Sequence, residues 1–349
     1  MADDLVEGAW PHPCGERRVC RLTRGLSRRV EQGHGISVGS CADERARRAL
    51  SAVQTANGQW HGYRGCGCPN VDRVEVLRYT AFSSDPRGGN PAGVVLDATG
   101  ASDAQMLTVA ADVGYSETAF LVPSGTATFD VRYFSPISEV PFCGHATIAS
   151  GVALAERDGP GRLTFDTLAG RVDVTTSVSA DSVPTATLVS VAPRTVFLAD
   201  DDRRVLLAAL RWSADDLDAG LPLRVAYAGA WHPIVAAASR ARLAELDYDF
   251  DALAELMAVR QWTTIDLVWR ESATVVHARN PFPPGGVVED PATGAAAAAF
   301  GGYLRELRLT EVPATLTVHQ GVDMGRPSLL RVDVPTEGGI AVTGAAVAL

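Results

Sequence analysis

The 349-residue chain is 46% hydrophobic and 21% charged, a composition that supports packed cores and argues against disorder as its default state. Its formal charge of -10 disfavours nucleic acid or an anionic membrane as the partner of the whole chain and points to a small molecule. Lysine is missing from the sequence altogether, which excludes a pyridoxal phosphate Schiff base and a P-loop lysine.

Residues 1–73 come first and stand apart. They hold five of the six cysteines (Cys14, Cys20, Cys41, Cys66, Cys68) and eleven arginines against eight acids, so this stretch is +3 where the remainder is -13. Apart from a short helical pattern over Asp43 to Val53 it shows no sustained apolar period, and it reads as a flexible extension. Cys41, His61, Cys66 and Cys68 are zinc-binding residue types, but Cys-x-Cys is not the usual Cys-x2-Cys knuckle and the other spacings are irregular, so no metal site is assigned. Neither a basic-then-apolar leader nor eighteen consecutive apolar residues occurs; a cytoplasmic location is the expectation.

From Val74 onward short strands and helices interleave. Val74 to Thr80, Ser116 to Val122, Ala127 to Phe134, Arg162 to Phe165 and Val172 to Thr176 read as strands, and Asp103 to Val113 reads as a helix closed by Gly114. A second series of strands follows near Thr185 to Val191, Arg224 to Tyr227, Ile234 to Ala237, Thr264 to Trp269, Val275 to Arg279 and Thr315 to His319. The expected class is α+β in two similar halves, residues 74–185 with 336–349 and residues 186–335.

An internal repeat supports that division. Glu139-x-Pro141-x-x-Gly144-x-Ala146-x-x-Ala149-x-Gly151 recurs 150 residues later as Glu289-x-Pro291-x-x-Gly294-x-Ala296-x-x-Ala299-x-Gly301. Each copy opens a helix, Ala146 to Ala155 and Ala295 to Leu304, that is apolar or small on every side. A helix without a polar face must be wrapped, and two small sheets, each curled around one central helix, would wrap both. The first N–H groups of such helices lack intrahelical partners, and glycine lets a ligand approach them. If the halves face each other, both helix starts converge on one cleft able to hold a carboxylate or an enolate. The opposing reading is that the glycines only permit tight packing.

Several side chains could carry chemistry there. Glu117 heads an otherwise apolar strand, and a carboxylic acid in an apolar pocket has its pKa raised enough to exchange protons with carbon near neutrality. His145 follows Gly144 and suits a donor or a second acid–base role; as a plain alternative it caps or packs. Asp290 precedes Pro291 and also fits an ordinary helix cap. Cys143 could be an activated thiol, but a two-thiol racemase needs a partner and the matching residue is Thr293, so Cys143 reads as a packing residue.

Gly89-Asn90-Pro91-Ala92-Gly93, Ser116-Glu117-Thr118-Ala119-Phe120, Arg132-Tyr133-Phe134-Ser135-Pro136, Pro141-Phe142-Cys143-Gly144-His145-Ala146-Thr147, Glu289-Asp290-Pro291-Ala292-Thr293-Gly294-Ala295 and Gln320-Gly321-Val322-Asp323-Met324-Gly325-Arg326-Pro327-Ser328 occur in one order. With them, the chain from about Val74 to its end resembles the PhzF-like family of phenazine-biosynthesis isomerases. The resemblance implies a diaminopimelate-epimerase-like fold with pseudo-twofold halves, an active site between them, a homodimer and no cofactor. It implies an acid–base isomerase similar to trans-2,3-dihydro-3-hydroxyanthranilate isomerase, acting on a small acid in secondary metabolism. Glu117 corresponds to the proton-shuttling glutamate, His145 and Asp290 to its assistants. Asn90, Ser116, Gly144, Thr293, Gly294 and Ala295 fall at substrate-contacting positions, Ala295 standing where the family often has serine. The extension has no counterpart in the family pattern. Alternatives are an amino-acid epimerase or racemase and a non-catalytic small-ligand binding protein.

Overall fold

In the computed structural model, residues 75–179 and 181–349 are described; the expected N-terminal extension and its cysteines lie outside them. The first series runs β1 (Leu77–Ala81), β2 (Asn90–Val95), α1 (Asp103–Val113), β3 (Glu117–Gly125), β4 (Thr128–Phe134), β5 (Glu139–Val140), α2 (Gly144–Asp158), β6 (Arg162–Thr167), β7 (Gly170–Val178) and β8 (Pro184–Val189). The second runs β9 (Arg194–Phe197), α3 (Asp200–Leu210), β10 (Arg224–Tyr227), β11 (Trp231–Ala236), α4 (Arg240–Ala244), α5 (Phe250–Arg260), β12 (Asp266–Arg270), β13 (Val275–Phe282), β14 (Val287–Asp290), α6 (Gly294–Glu306), β15 (Ala314–Gln320), β16 (Ser328–Val334) and β17 (Ala341–Ala348). Local chemistry sets several of these limits. The Ser102 N–H donates to Gln105 Oε1 at 2.8 Å to start α1, and Gly114 ends it at φ 71°, a left-handed position that glycine adopts without strain.

Strands β1, β2, β3, β4, β6, β7, β8 and β17 pair in succession and return to β1, closing a β-barrel. Helix α2 runs through it, touching β1, β2, β3, β7, β8 and β17, and every residue from His145 to Ala155 is buried. That is why the sequence has no polar stripe here: each side of the helix meets a strand. The second series pairs as β9, β10, β11, β12, β13, β15, β16 and β17, and α6 packs on β9, β10, β11, β16 and β17. The molecule is thus a mixed α/β fold with a closed barrel and few helices.

The expectation of two separate small sheets needs correction. All strands join one hydrogen-bonded network because β17 serves both series. One edge of β17 pairs with β8; the other pairs with β16 at Ala341 to Thr343 and with β1 at Ala346 to Ala348.

The glycines in the last position of the repeat let the strands approach the helices. A Cβ on Gly151 would stand 3.1 Å from Ala186 and Val174, and one on Gly301 would stand 3.1 Å from Ile340, Val332 and Val334. The remaining helices cover outer faces: α1 sets Met106 and Ala110 against Phe120 and Phe134, while α3 and α5 bury Leu206, Leu210, Leu253 and Met257 with Trp212 and Trp262.

Candidate active site

The two copies of the repeat build matching frames from the chain upward. In the first, Arg132 on β4 grips Glu139 on β5 through Nε–Oε1 and Nη2–Oε2 at 2.6 and 2.8 Å. In the second, Arg279 on β13 grips Glu289 on β14 in the same forked manner, with Nε–Oε2 at 2.9 Å. Each fork fixes the short strand whose chain then turns through proline into a helix start, so Cys143 and Thr293 sit at the N-caps of α2 and α6.

At the start of α2, Glu117, His145, Ser116 and Cys143 meet. Glu117 opens β3, and its Oε2 lies 3.4 Å from His145 Nε2 and 3.6 Å from Cys143 Sγ. Ser116 Oγ is 3.3 Å from the same histidine nitrogen, and Cys143 Sγ is 3.4 Å from His145 Nδ1. Burial, reinforced by the Glu117 charge, holds the Cys143 thiol well above its usual pKa, although the Ala146 N–H pulls the other way. A buried packing residue was expected at Cys143; the thiol packs directly against the proposed acid–base pair.

At the start of α6, Asp290 is 8% exposed and held from three sides. Asn90 Nδ2 donates to its Oδ1 at 2.7 Å and also to the Ala292 carbonyl at 3.1 Å. Thr293 Oγ1 donates to Oδ2 at 2.5 Å, and Gln320 Nε2 donates to the Asp290 carbonyl at 2.8 Å. Burial raises the Asp290 pKa to about 6, against the opposing pull of His145 and of the Thr293 and Asn90 hydrogen bonds.

Part of both clusters opens onto a cleft of about 880 Å³, lined by Asn90, Ser116, Glu117 and Asp290 with Tyr115, Phe282 and Met324 among its apolar walls, while Cys143, His145, Thr293 and Gln320 lie behind that lining. Of the other expected site residues, Gly144 would carry a Cβ into open space, whereas a Cβ on Gly294 would stand 3.3 Å from Phe82, so Gly294 is closely packed on that side. Ala295 lies half-buried in the first turn of α6. Gln320 escaped the sequence reading as a site residue although its motif had been noted; its amide locks Asp290 to Thr293, accepting the Thr293 N–H at 3.0 Å and donating to Thr293 Oγ1 at 3.1 Å. Arg326, also from that motif, donates to the Gly88 and Gly89 carbonyls at 2.7 and 2.8 Å and so holds the turn that presents Asn90.

The model of the family described as phenazine biosynthesis-like protein matches residues 79–349. The chain belongs to this family. An uncharacterized isomerase, YfhB, from Bacillus subtilis is 31% identical over 287 residues, covering 79% of this chain and 97% of that protein. The trans-2,3-dihydro-3-hydroxyanthranilate isomerase of Pseudomonas chlororaphis is 32% identical over 253 residues, covering 72% and 86%. Among solved structures, a Bacillus anthracis phenazine biosynthesis protein of the PhzF family superposes with a TM-score of 0.70 at 27% identity, over 78% of this chain and 96% of that one. A hydroxyproline epimerase from Agrobacterium vitis shares the fold at 13% identity and a TM-score of 0.51, covering 78% and 90%. With these relatives the chain is an isomerase of the PhzF-like family.

Proposed function

We propose that the chain moves a proton, and with it a double bond, on a small unsaturated amino or carboxylic acid, a reading in line with a relative named as trans-2,3-dihydro-3-hydroxyanthranilate isomerase. The observation that carries this reading is Glu117 lining the cleft in contact with His145, with Asp290 lining the same cleft. In this mechanism the Glu117 carboxylate takes a proton from one substrate carbon, the electron pair left behind delocalises as an enolate-like system, and the same carboxyl group returns the proton to another carbon. No atom is gained or lost. His145 orients Glu117, and Asp290, which burial keeps partly protonated near pH 6, donates to the developing negative charge. The cleft is lined by no arginine among the described residues and the chain has no lysine, so a substrate carboxylate would rest on neutral donors such as the Ser116 hydroxyl in the lining, with the N–H groups opening α2 and α6 as further anchors.

The reading includes two related halves that meet at this cleft, supported by the repeated frames around Gly144 and Gly294. It also includes cofactor-independent action, a homodimer, a cytoplasmic location and a place in secondary or antibiotic metabolism such as phenazine synthesis; these rest on the resemblance alone. An epimerase using two thiols is disfavoured by Thr293 opposite Cys143 in the repeat. The test is exchange in heavy water: trans-2,3-dihydro-3-hydroxyanthranilate is incubated with the chain and with Glu117→Gln and followed by NMR. Deuterated isomer with the native chain alone supports the reading. An unchanged substrate would remove this compound and move the search to other unsaturated acids, and binding without exchange by any of them would favour the non-catalytic binder.

A further inference from the structure

We infer that the substrate carries an apolar body about the size of a six-membered ring beyond its acid end, and that Ile137, Val287 and Val288 select it. The inference rests on the isomerase reading for the chemistry at the acid end and on the cleft lining for the rest. Two hairpins, matched in the repeat, contribute to that lining: residues 135–138 join β4 to β5, and residues 283–286 join β13 to β14. Ile137 in the first is 86% exposed, and Val287 and Val288 at the opening of β14 are 41% and 60% exposed. Single exposed aliphatic side chains are ordinary, but these three line one cleft together with Phe282 and Met324.

Polar groups of the same walls are already engaged. Ser135 Oγ donates to the Ser138 carbonyl at 2.9 Å and accepts the Ser138 N–H at 3.1 Å, so the hydroxyl turns back onto its own hairpin and Ile137 is the group left projecting. Glu289 is held by the Arg279 fork, and the Val288 carbonyl accepts the Tyr248 hydroxyl at 2.5 Å. Pro136, Pro283 and Pro284 have no N–H to offer, and the Gly286 N–H donates to the Pro283 carbonyl at 2.9 Å. A heavily hydroxylated ligand would lose water there and find few partners, whereas an apolar one gains by leaving water. The acid–base groups stand in the same cleft, whose volume of about 880 Å³ lies in the range of roughly 300–1,000 Å³ that drug-sized ligands fill, well beyond the needs of a four-carbon acid.

Two acids that differ only in that body supply the test: but-3-enoate and 4-cyclohexylbut-3-enoate. In either, the proposed step takes a proton from the carbon beside the carboxylate, moves the double bond one position towards that carboxylate and returns a proton to the far alkene carbon. Ligand-observed NMR titration of the full chain reads binding without turnover. The cyclohexyl acid should bind at least about tenfold more tightly, and Ile137→Ser combined with Val288→Ser should cut that preference to about threefold or less while leaving but-3-enoate unchanged. Both side chains are exposed, so the double variant removes no core contact, and Ile137→Leu should keep the preference. Equal affinities for the two acids, or a preference that the double variant retains, would overturn the inference. Deuterium uptake from heavy water reports separately on the chemistry. A ring preference with no uptake into either acid counts against the isomerase reading and leaves the apolar subsite standing; uptake with equal kcat/KM for both acids overturns the subsite and leaves the isomerase reading intact.

Discussion

Around α2 and α6 the same frame is loaded with different chemistry. Both helix starts follow an Arg–Glu fork, a proline and two further residues, and both helices end their motif in a glycine pressed against strands. At the first start, positions 143 and 145 are cysteine and histidine, in contact with Glu117; at the second, the matching residues are Thr293 and Ala295, and the buried carboxyl group is that of Asp290, whose counterpart is Val140. The strand heads diverge too. Glu117 opens β3 and reaches the cleft, while Asp266 opens β12 and is sealed at 2% exposure, its carboxyl group accepting from Asn280 Nδ2 at 3.1 Å. The repeated frame thus fixes where groups can be placed without deciding which of them meet the ligand.

The largest contrast we expect is between those two strand heads. Glu117→Gln should lower isomerisation about 10²–10⁴-fold, the range for loss of an acid–base group, whereas Asp266→Asn should leave the rate within a factor of a few. Equal losses in steady-state assays would break the division of roles.

The two forks should separate next. Arg279 and Glu289 are 9% and 6% exposed against 30% and 25% for Arg132 and Glu139. Arg279→Met strands a buried carboxylate and should cost about 3–5 kcal/mol in urea unfolding, while Arg132→Met should cost roughly 1 kcal/mol.

Asp266 supplies a pH test. Burial raises its pKa from 3.8 to about 7, so between those values the folded chain holds a proton that the unfolded chain has released. Stability on this account falls as pH rises through about 4 to 7, and the full cost is present above 7. Asp266→Asn should flatten that slope by on the order of a few kcal/mol, read as denaturation midpoints across the window. A parallel pair of curves would mean the proton is not held.

The smallest expected effect comes from adding a hydroxyl in the first turn of α6. Ala295→Ser should lower KM for an acid substrate several-fold, about 1 kcal/mol, with little change in kcat. An unchanged KM would indicate that position 295 does not contact the substrate carboxylate.

Much of this was legible in the sequence where one strong local signal was enough. The repeat marks both central helices, expected over Ala146 to Ala155 and Ala295 to Leu304 and found one or two residues earlier, from Gly144 and Gly294, and α1 runs from Asp103 to Val113 as its capping residues predict. The structure also brings Glu117 to His145 and Asn90 to Asp290. What stayed hidden depends on distant partners. Gln320 is an ordinary strand residue until the fold sets it against Thr293, 27 positions earlier. Strands β16 and β17 were not foreseen; Ala341–Ala348 is made largely of small residues, so its alternation shows little contrast, and its role in both series follows only from where its two edges lie.

That shared strand also orders events in time. Tyr79 pairs with Ala348 across nearly the whole described chain, so the barrel around α2 cannot close before residues 341–348 have been made. Until residues 341–348 arrive, β1, β8 and β16 present open edges and α2 lacks part of its cover. Such long-range closure is slow and exposes strand edges to foreign pairing. Synthesis of this protein therefore passes through a vulnerable interval that lasts until β17 has emerged from the ribosome.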